Sequence, residues 1–168
     1  MLALSLIIMG ILLRFAPHAP NFTPVAAIAL FGGAYLGRKY SIIIPLVLMA
    51  VSDIFIGTHN VMFFTWGAFA LTGLMGIWLK KHKNAYGVIG ASLVSSLLFY
   101  IISNFGVWVM GWYPHTLQGL ISCYVLALPF LRNFTIATLL YSALFFVAYE
   151  AVARSVKGTK LAKVLLTN

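Results

Sequence analysis

The chain has 168 residues, of which 62% are apolar and only 8% are charged, and its formal net charge is +9. A soluble domain carries roughly 25% charged residues, so this composition excludes an ordinary soluble protein and indicates a single integral membrane domain over residues 1–168. Cys123 is the only cysteine, which excludes an intrachain disulfide.

Apolar segments predict six transmembrane helices. In chain order they cover residues 1–15, 23–37, 41–57, 61–79, 86–103 and 133–153. A segment in hydrocarbon satisfies its own backbone polar groups by forming a helix. A further apolar stretch at 117–130 predicts a short helix inside a long loop at 104–132. We therefore expect an all-α membrane protein, a six-helix bundle followed by a basic tail at 154–168.

The positions of lysine and arginine predict the orientation of this bundle. If both termini are cytoplasmic, nine of the eleven basic residues lie on the cytoplasmic side, and only Arg14 and Arg132 lie outside. Positively charged loops are retained in the cytoplasm, so the pattern favours this topology. Together with the basic tail, which can lie against the lipid bilayer, this topology explains most of the net positive charge. We therefore expect no nucleic-acid partner.

Two acidic residues have different predicted roles. Asp53 lies near the outer end of the third helix, where a carboxylate in a membrane segment is a functional hypothesis by default. An equally weighted alternative is a buried aspartate whose hydrogen bonds order the third and fourth helices. Glu150 stands four residues before Arg154, a spacing that predicts an ion pair at the end of the last helix.

Small residues form one face of the second predicted helix. Ala29, Gly33 and Gly37 recur at four-residue spacing, which lets another helix approach closely. Packing within the chain is the favoured interpretation. A docking surface for a partner subunit, as in a structural or assembly subunit of a larger membrane complex, is the alternative.

Sequence patterns of enzymes and metal sites are lacking. The chain has no HExxH, GxSxG or phosphate-binding glycine loop, and His18, His59 and His115 show no metal-ligand spacing. Cys123 has no orienting acid nearby, which favours packing over a nucleophilic role. We therefore expect no catalytic residues, no metal and no cofactor.

A polar and aromatic segment at 103–124, SNFGVWVMGWYPHTLQGLISCY, interrupts the apolar runs. Its tryptophans can form an interfacial belt. Aromatic walls with a few polar groups are also typical of a small-molecule pocket, which this loop would cover on the outer side. Asp53 and Arg132 are the charges expected there, either paired with each other or holding a neutral or zwitterionic solute. The predicted ligand-binding residues are Asn21, Asp53, Trp66, Asn104, Trp108, Tyr113, Gln118, Cys123, Tyr124, Arg132 and Asn133.

Several stretches resemble a family of small uncharacterised bacterial membrane proteins. They are PNFTPVAAIALFGGAYLG, the Ser52–Asp53 pair, SNFGVW, YPHTLQGL and CYVLALPFLRN. That family is in turn similar to the substrate-binding S components of energy-coupling-factor (ECF) vitamin transporters, through size, six helices and the LPFLRNF stretch.

This resemblance implies a bacterial cytoplasmic-membrane protein that binds a vitamin-like or other ring-containing solute on its outer face for uptake. The loops at 14–23, 57–61 and 104–132 would close over the solute. An ECF-type transmembrane and ATPase module is the implied partner. S components dock on that module through an AxxxA pattern in the first helix, and MLALSLIIMGILL departs from it.

Overall fold

A computed structural model of the protein describes residues 1–17 and 19–166, and every regular element in these ranges is a helix. His18, one of the three histidines considered above, lies outside the described residues. The helices are α1 Leu2–Phe15, α2 Val25–Leu36, α3 Arg38–Ile56, α4 Met62–Leu79, α5 Ala85–Val109, α6 Leu117–Leu126, α7 Leu128–Val156 and α8 Lys160–Leu165.

Three of these helices, α4, α5 and α7, are long and apolar enough to cross a membrane. Large apolar side chains on their outer faces are exposed, among them Leu71, Leu97 and Leu144. An exposed apolar surface of this kind is suited to lipid, which identifies the chain as a membrane protein. Six helices occupy the six predicted segments, but α1 and α2 are shorter than a membrane-spanning helix, with 14 and 12 residues.

Helix α2 forms the centre of the bundle. All its residues from Val25 to Tyr35 are buried, and it packs against α1, α3, α4 and α7. A β-carbon added to Gly33 would lie 2.6 Å from the backbone carbon of Gly76 on α4, so the two helices meet backbone to backbone. This close approach confirms packing within the chain for Ala29 and Gly33, which leaves them unavailable to a partner.

Gly37 plays a different role from Ala29 and Gly33. It has φ +90°, a conformation that favours glycine, and it separates α2 from α3. A side chain added there would meet no other atom within 4 Å. Gly37 therefore ends a helix rather than extending the packing face.

The largest difference from the predicted elements concerns the loop at 104–132. Helix α5 continues to Val109 and ends before Gly111, which has φ +79°. Helix α7 begins at Leu128, with Pro129 in its first turn, a position that tolerates proline because no intrahelical N–H bond is lost. Asn104, Trp108, Arg132 and Asn133 therefore lie on helices. The predicted short helix is confirmed as α6.

The two ends of the bundle differ in chemistry. At one end, here called the basic end, the Met1 amino group lies 3.3 Å from the carbonyl of Leu165, and Lys83 lies 4.3 Å from the ring centre of Tyr35. Tyr35 also donates a 2.7 Å hydrogen bond to Glu150, which takes the place of the predicted pairing of Glu150 with Arg154. The opposite end, here called the loop end, gathers the α1–α2, α3–α4 and α5–α6 connections.

Candidate functional site

A buried ion pair joins α1 to α3 near the loop end. Arg14 Nη2 lies 3.5 Å from Asp53 Oδ1, and the two side chains are 12% and 5% exposed. Arg14 also donates to Ser52 Oγ at 2.8 Å and to Thr23 Oγ1 at 3.1 Å. Because one guanidinium bridges α1, α3 and the segment before α2, this cluster fixes the relative positions of three parts of the fold.

The other carboxylate oxygen of Asp53 faces α4 and the α3–α4 connection. Trp66 Nε1 donates to Asp53 Oδ2 at 2.9 Å, and His59 Nε2 lies 4.0 Å from the same atom. The hydrogen bond from Trp66 joins α4 to α3. It agrees with the alternative prediction that Asp53 orders these two helices through hydrogen bonds. The predicted pairing with Arg132 is wrong, because Asp53 pairs with Arg14 and Arg132 is exposed on α7.

A cavity of about 450 Å³ lies beside this cluster, between α4, α5, α6 and α7. Its inner wall includes the stacked rings of Phe99 and Phe134, whose centres are 4.3 Å apart. The α1–α2 and α3–α4 connections contribute Asn21, His59 and Val61. The remaining lining residues are Thr65, Ser96, Tyr100, Ser103, Asn104, Val107, Trp112, Tyr113, Cys123, Leu126, Ala127, Phe130 and Leu131.

Most hydrogen-bond donors that line the cavity are already used by the protein. Ser103 Oγ donates to the carbonyl of Phe99 at 2.7 Å, and Asn104 Nδ2 donates to the carbonyl of Tyr100 at 2.8 Å. Ser96 and Thr65 donate to backbone carbonyls in the same way. Hydroxyl and amide oxygens keep free lone pairs after donating, so these side chains offer acceptors to a bound molecule.

One polar atom at the cavity is buried and without a partner. His59 Nδ1 has no hydrogen-bond partner among the described residues, although the other ring nitrogen of His59 faces Asp53. A buried polar group without a partner is unfavourable by about 1–3 kcal/mol, so such groups are rare in folded proteins. The His59 side chain also lines the cavity.

Two connections at the loop end are tied together at the cavity. Trp112 Nε1, from the α5–α6 connection, donates to Asn60 Oδ1 of the α3–α4 connection at 3.2 Å. Trp112 itself lines the cavity and is 64% exposed. This contact holds two connections against each other with a single surface hydrogen bond, which is weak enough to open.

The predicted ligand-binding residues divide into three groups. Asn21, Asn104, Tyr113 and Cys123 line the cavity. Asp53 and Trp66 belong to the adjacent buried cluster and are not part of the lining. The others do not line the cavity: Trp108, Gln118, Tyr124, Arg132 and Asn133.

Local hydrogen bonds explain the positions of three side chains outside the cavity. Trp108 Nε1 donates to the carbonyl of Pro114 at 3.0 Å, which stabilises the α5–α6 connection. Tyr124 donates to the carbonyl of Ile101 at 2.7 Å and holds α6 against α5. Asn133 Nδ2 donates to the carbonyl of Pro20 at 3.2 Å and links α7 to the α1–α2 connection. These three residues support the helices and connections around the cavity without lining it.

Cys123 is buried in the cavity wall, with its thiol 3.4 Å from the carbonyl of Asn104. Within the described parts of the chain, no group of three histidine, cysteine, aspartate or glutamate residues has a geometry suited to a metal ion. Cys123 is therefore a packed side chain in the wall of the cavity.

Sequence reasoning missed Arg14, His59, Ser52 and Thr23 as members of this site. Arg14 is predicted at the junction of the first helix, 1–15, and the outer loop, 14–23, and the structure places it within α1. A charged residue inside an otherwise apolar helix is itself a functional signal, and it could have identified Arg14. The role of His59 depends on the folded positions of α3 and α4, and no local pattern indicates it.

Comparison with known proteins identifies a family but no characterised relative. The profile of a family of unknown function, DUF6580, matches residues 1–161. No curated protein and no solved structure gives a significant match to the chain.

Proposed function

The chain belongs to the DUF6580 family, and we propose that it is a membrane-embedded binding protein for the uptake of a small, uncharged, ring-containing solute. The observation that carries this proposal is the cavity of about 450 Å³, which is lined by aromatic side chains and by the acceptor oxygens of Ser96, Ser103 and Asn104. Cavities of roughly 300–1,000 Å³ with mainly apolar walls are the usual size for small-molecule sites.

The lining favours a particular chemistry of solute. Phe99, Phe134 and Trp112 provide aromatic surface suited to a planar ring. No lysine, arginine, aspartate or glutamate is among the lining residues in the described part of the chain. Since burying an unpaired charge is strongly unfavourable, an uncharged solute fits better than a charged one. The zwitterion considered from sequence loses its support, because Asp53 is already paired with Arg14.

The hydrogen-bonding groups of the cavity narrow the class further. Ser96, Ser103 and Asn104 use their donors within the protein and keep acceptors free. A solute with N–H or O–H groups on its ring can donate to these acceptors. We therefore propose a heterocycle or hydroxylated ring rather than a pure hydrocarbon, since a hydrocarbon has no N–H or O–H group to donate to these acceptors.

The outward orientation of the cavity and the delivery of the solute to an ECF-type module belong to the same proposal. The loop end lies opposite the end that holds Lys83 and Arg154, which agrees with an outward-facing cavity under the positive-inside rule. A module that receives the solute would have to contact an exposed apolar face, because Ala29 and Gly33 are packed against α4.

Mass spectrometry of small molecules that co-purify with the full chain tests this function. Ser103→Trp fills the cavity, and Ser155→Trp is its matched control. Both serines are helical and donate to the carbonyl four residues earlier, but Ser155 lies on α7 outside the cavity. We expect one ring-containing solute with the parent and with Ser155→Trp, and its loss with Ser103→Trp. Identical small-molecule profiles from all three proteins would contradict the proposal.

A further inference from the structure

A second cavity of about 450 Å³ lies at the basic end, between the first turns of α5 and the last turns of α7. Its α5 wall contains Ala85, Val88 and Ile89. Its α7 wall runs from Ala143 to Arg154. Ser92 donates to Ser142 at 3.2 Å just beyond the groove, so the two helices are in contact there. Nearer the basic end the same helices leave an open groove, whose walls include Ala85, Ala143 and Ala151.

The body of this groove is apolar and opens on the outside of the bundle. Ile89 is 49% exposed and Val147 is 67% exposed, and both lie on helices that are apolar enough to cross a membrane. From Ala143 to Arg154 the helix rises roughly 16 Å, at about 1.5 Å per residue. One leaflet of the hydrocarbon core is about 15 Å thick, so the groove matches the depth of one leaflet.

The head of the groove is polar and has a net positive charge. Lys83 and Arg154 line it together with one carboxylate, that of Glu150, which gives a formal local charge of +1. Tyr35 donates to Glu150 at 2.7 Å and has Lys83 over its ring at 4.3 Å. These contacts hold Lys83 and Glu150 at the groove head, while the ammonium of Lys83 keeps N–H donors for another anion.

From this arrangement we propose that the groove binds one anionic glycerophospholipid of the leaflet at the basic end. The phosphodiester lies between Lys83 and Arg154, and one acyl chain lies along Val88, Ile89 and Val147. A headgroup with one net negative charge balances the local +1. Basic pockets between transmembrane helices on the cytoplasmic side are suited to phosphate-containing headgroups in this way.

This site is separate from the cavity at the loop end, so it does not depend on the proposed solute. A bound lipid would fill the space between α5 and α7, two helices that also form walls of the solute cavity. The lipid would therefore stabilise the pair of helices on which the solute site is built. Binding of a ligand to the folded state stabilises that state by mass action.

Native mass spectrometry of the purified full chain in detergent, titrated with dioleoylphosphatidylglycerol, tests the proposal. We expect one high-affinity lipid per chain. Lys83→Gln and Arg154→Gln should each weaken its binding roughly fivefold, the effect expected for one basic residue near a phosphate surface. Val147→Trp, which fills the groove without changing charge, should weaken binding by a similar factor. Lys157→Gln is the matched control, because Lys157 is exposed beyond α7 and does not line the groove.

Glu150→Gln distinguishes the headgroups. Removing this carboxylate should strengthen binding of phosphatidylglycerol, because it removes repulsion of the phosphate. Weaker binding would mean that Glu150 holds an ammonium, and would overturn the proposal in favour of a zwitterionic lipid. Equal affinity for dioleoylphosphatidylethanolamine would overturn it also. Competition by inorganic phosphate alone would indicate an anion site without a lipid, and unchanged titrations for Lys83→Gln, Arg154→Gln and Val147→Trp would exclude the groove.

Discussion

Arg14 of α1 and Asp53 of α3 form an ion pair whose side chains are 12% and 5% exposed. The pair lies beside the loop-end cavity without lining it. Arg14 also binds Ser52 and Thr23, and Asp53 also accepts from Trp66. A short helix of 14 residues is thereby attached to the bundle by a polar cluster as well as by apolar packing.

Removing either charge alone should destabilise the protein strongly. Asp53→Asn leaves the Arg14 guanidinium without its counter-ion, and Arg14→Gln leaves the Asp53 carboxylate without its own. Breaking a buried pair in this way costs about 3–5 kcal/mol. The free energy of unfolding in detergent should fall by about this amount for each single variant. The double variant should lose less than the sum, because it leaves no uncompensated charge.

Arg132→Gln is the control for this ion pair. Arg132 is exposed on α7, so its substitution should change the free energy of unfolding by at most about 0.5 kcal/mol. The assignment of the pair to Arg14 is wrong if Arg132→Gln destabilises as much as Arg14→Gln, or if the two single variants at Arg14 and Asp53 are additive in the double variant.

The helices were predictable from sequence, but their ends were less so. Hydropathy alone located the segments that became α1 to α5 and α7, because an apolar run in lipid must form a helix. The predicted fifth helix ends too early, before Asn104, and the predicted last helix begins too late, after Arg132. Both belong to longer helices, since helix ends depend on Gly111 and Pro129 rather than on local polarity.

The site was predictable only in part, for a physical reason. Asn104 and Cys123 line the cavity, and both were predicted because they stand out in sequence against the apolar runs. The choice of Arg14 over Arg132 as the partner of Asp53 depends on which helices are neighbours. Tertiary packing decides that, and one sequence contains no measure of it. The position of His59, whose Nδ1 has no hydrogen-bond partner in the described part of the chain, is likewise visible only once α3 and α4 are placed.

Close packing of α2 against α4 should make Gly33 intolerant of a methyl group. The β-carbon of Gly33→Ala would lie 2.6 Å from the backbone of Gly76, and neither backbone can move without shifting its helix. Overpacking of this kind costs about 1–3 kcal/mol. Gly67→Ala in α4 is the matched control, because nothing lies within 4 Å of the added carbon.

Thermal unfolding in detergent compares these two glycines. Gly67→Ala should leave stability unchanged or raise it by about 0.5–1 kcal/mol, since alanine is the better helix former. Gly33→Ala should lower the melting temperature. Equal melting temperatures for the two variants would show that α2 and α4 are not in backbone contact.

The hydrogen bond between Trp112 and Asn60 should slow the release of a bound solute. Trp112→Phe keeps an aromatic wall but removes the Nε1 donor, so the two connections lose their direct link. The loss of one exposed hydrogen bond is worth about 0.5–1.5 kcal/mol, which corresponds to roughly 2- to 12-fold faster dissociation. Stopped-flow measurement with the co-purified solute tests this. Trp108→Phe should have a smaller effect, because the Trp108 donor on α5 bonds to Pro114 of the adjoining α5–α6 connection and does not link two connections.

The charge distribution predicts that the basic end faces the cytoplasm. Lys83 and Arg154 lie together at that end, and the α3–α4 connection with His59 lies at the other, beside the loop-end cavity. Lys81→Cys and Thr58→Cys, each in a Cys123→Ser background, place single thiols at exposed positions of the two ends. A membrane-impermeant maleimide should label Thr58→Cys in intact cells, and Lys81→Cys only after permeabilisation. The reverse pattern would place the solute cavity on the cytoplasmic side, and a protein with that orientation could not capture a solute from outside. Labelling of both thiols in intact cells would mean that the two connections are on one side of the membrane, which contradicts a crossing by α4.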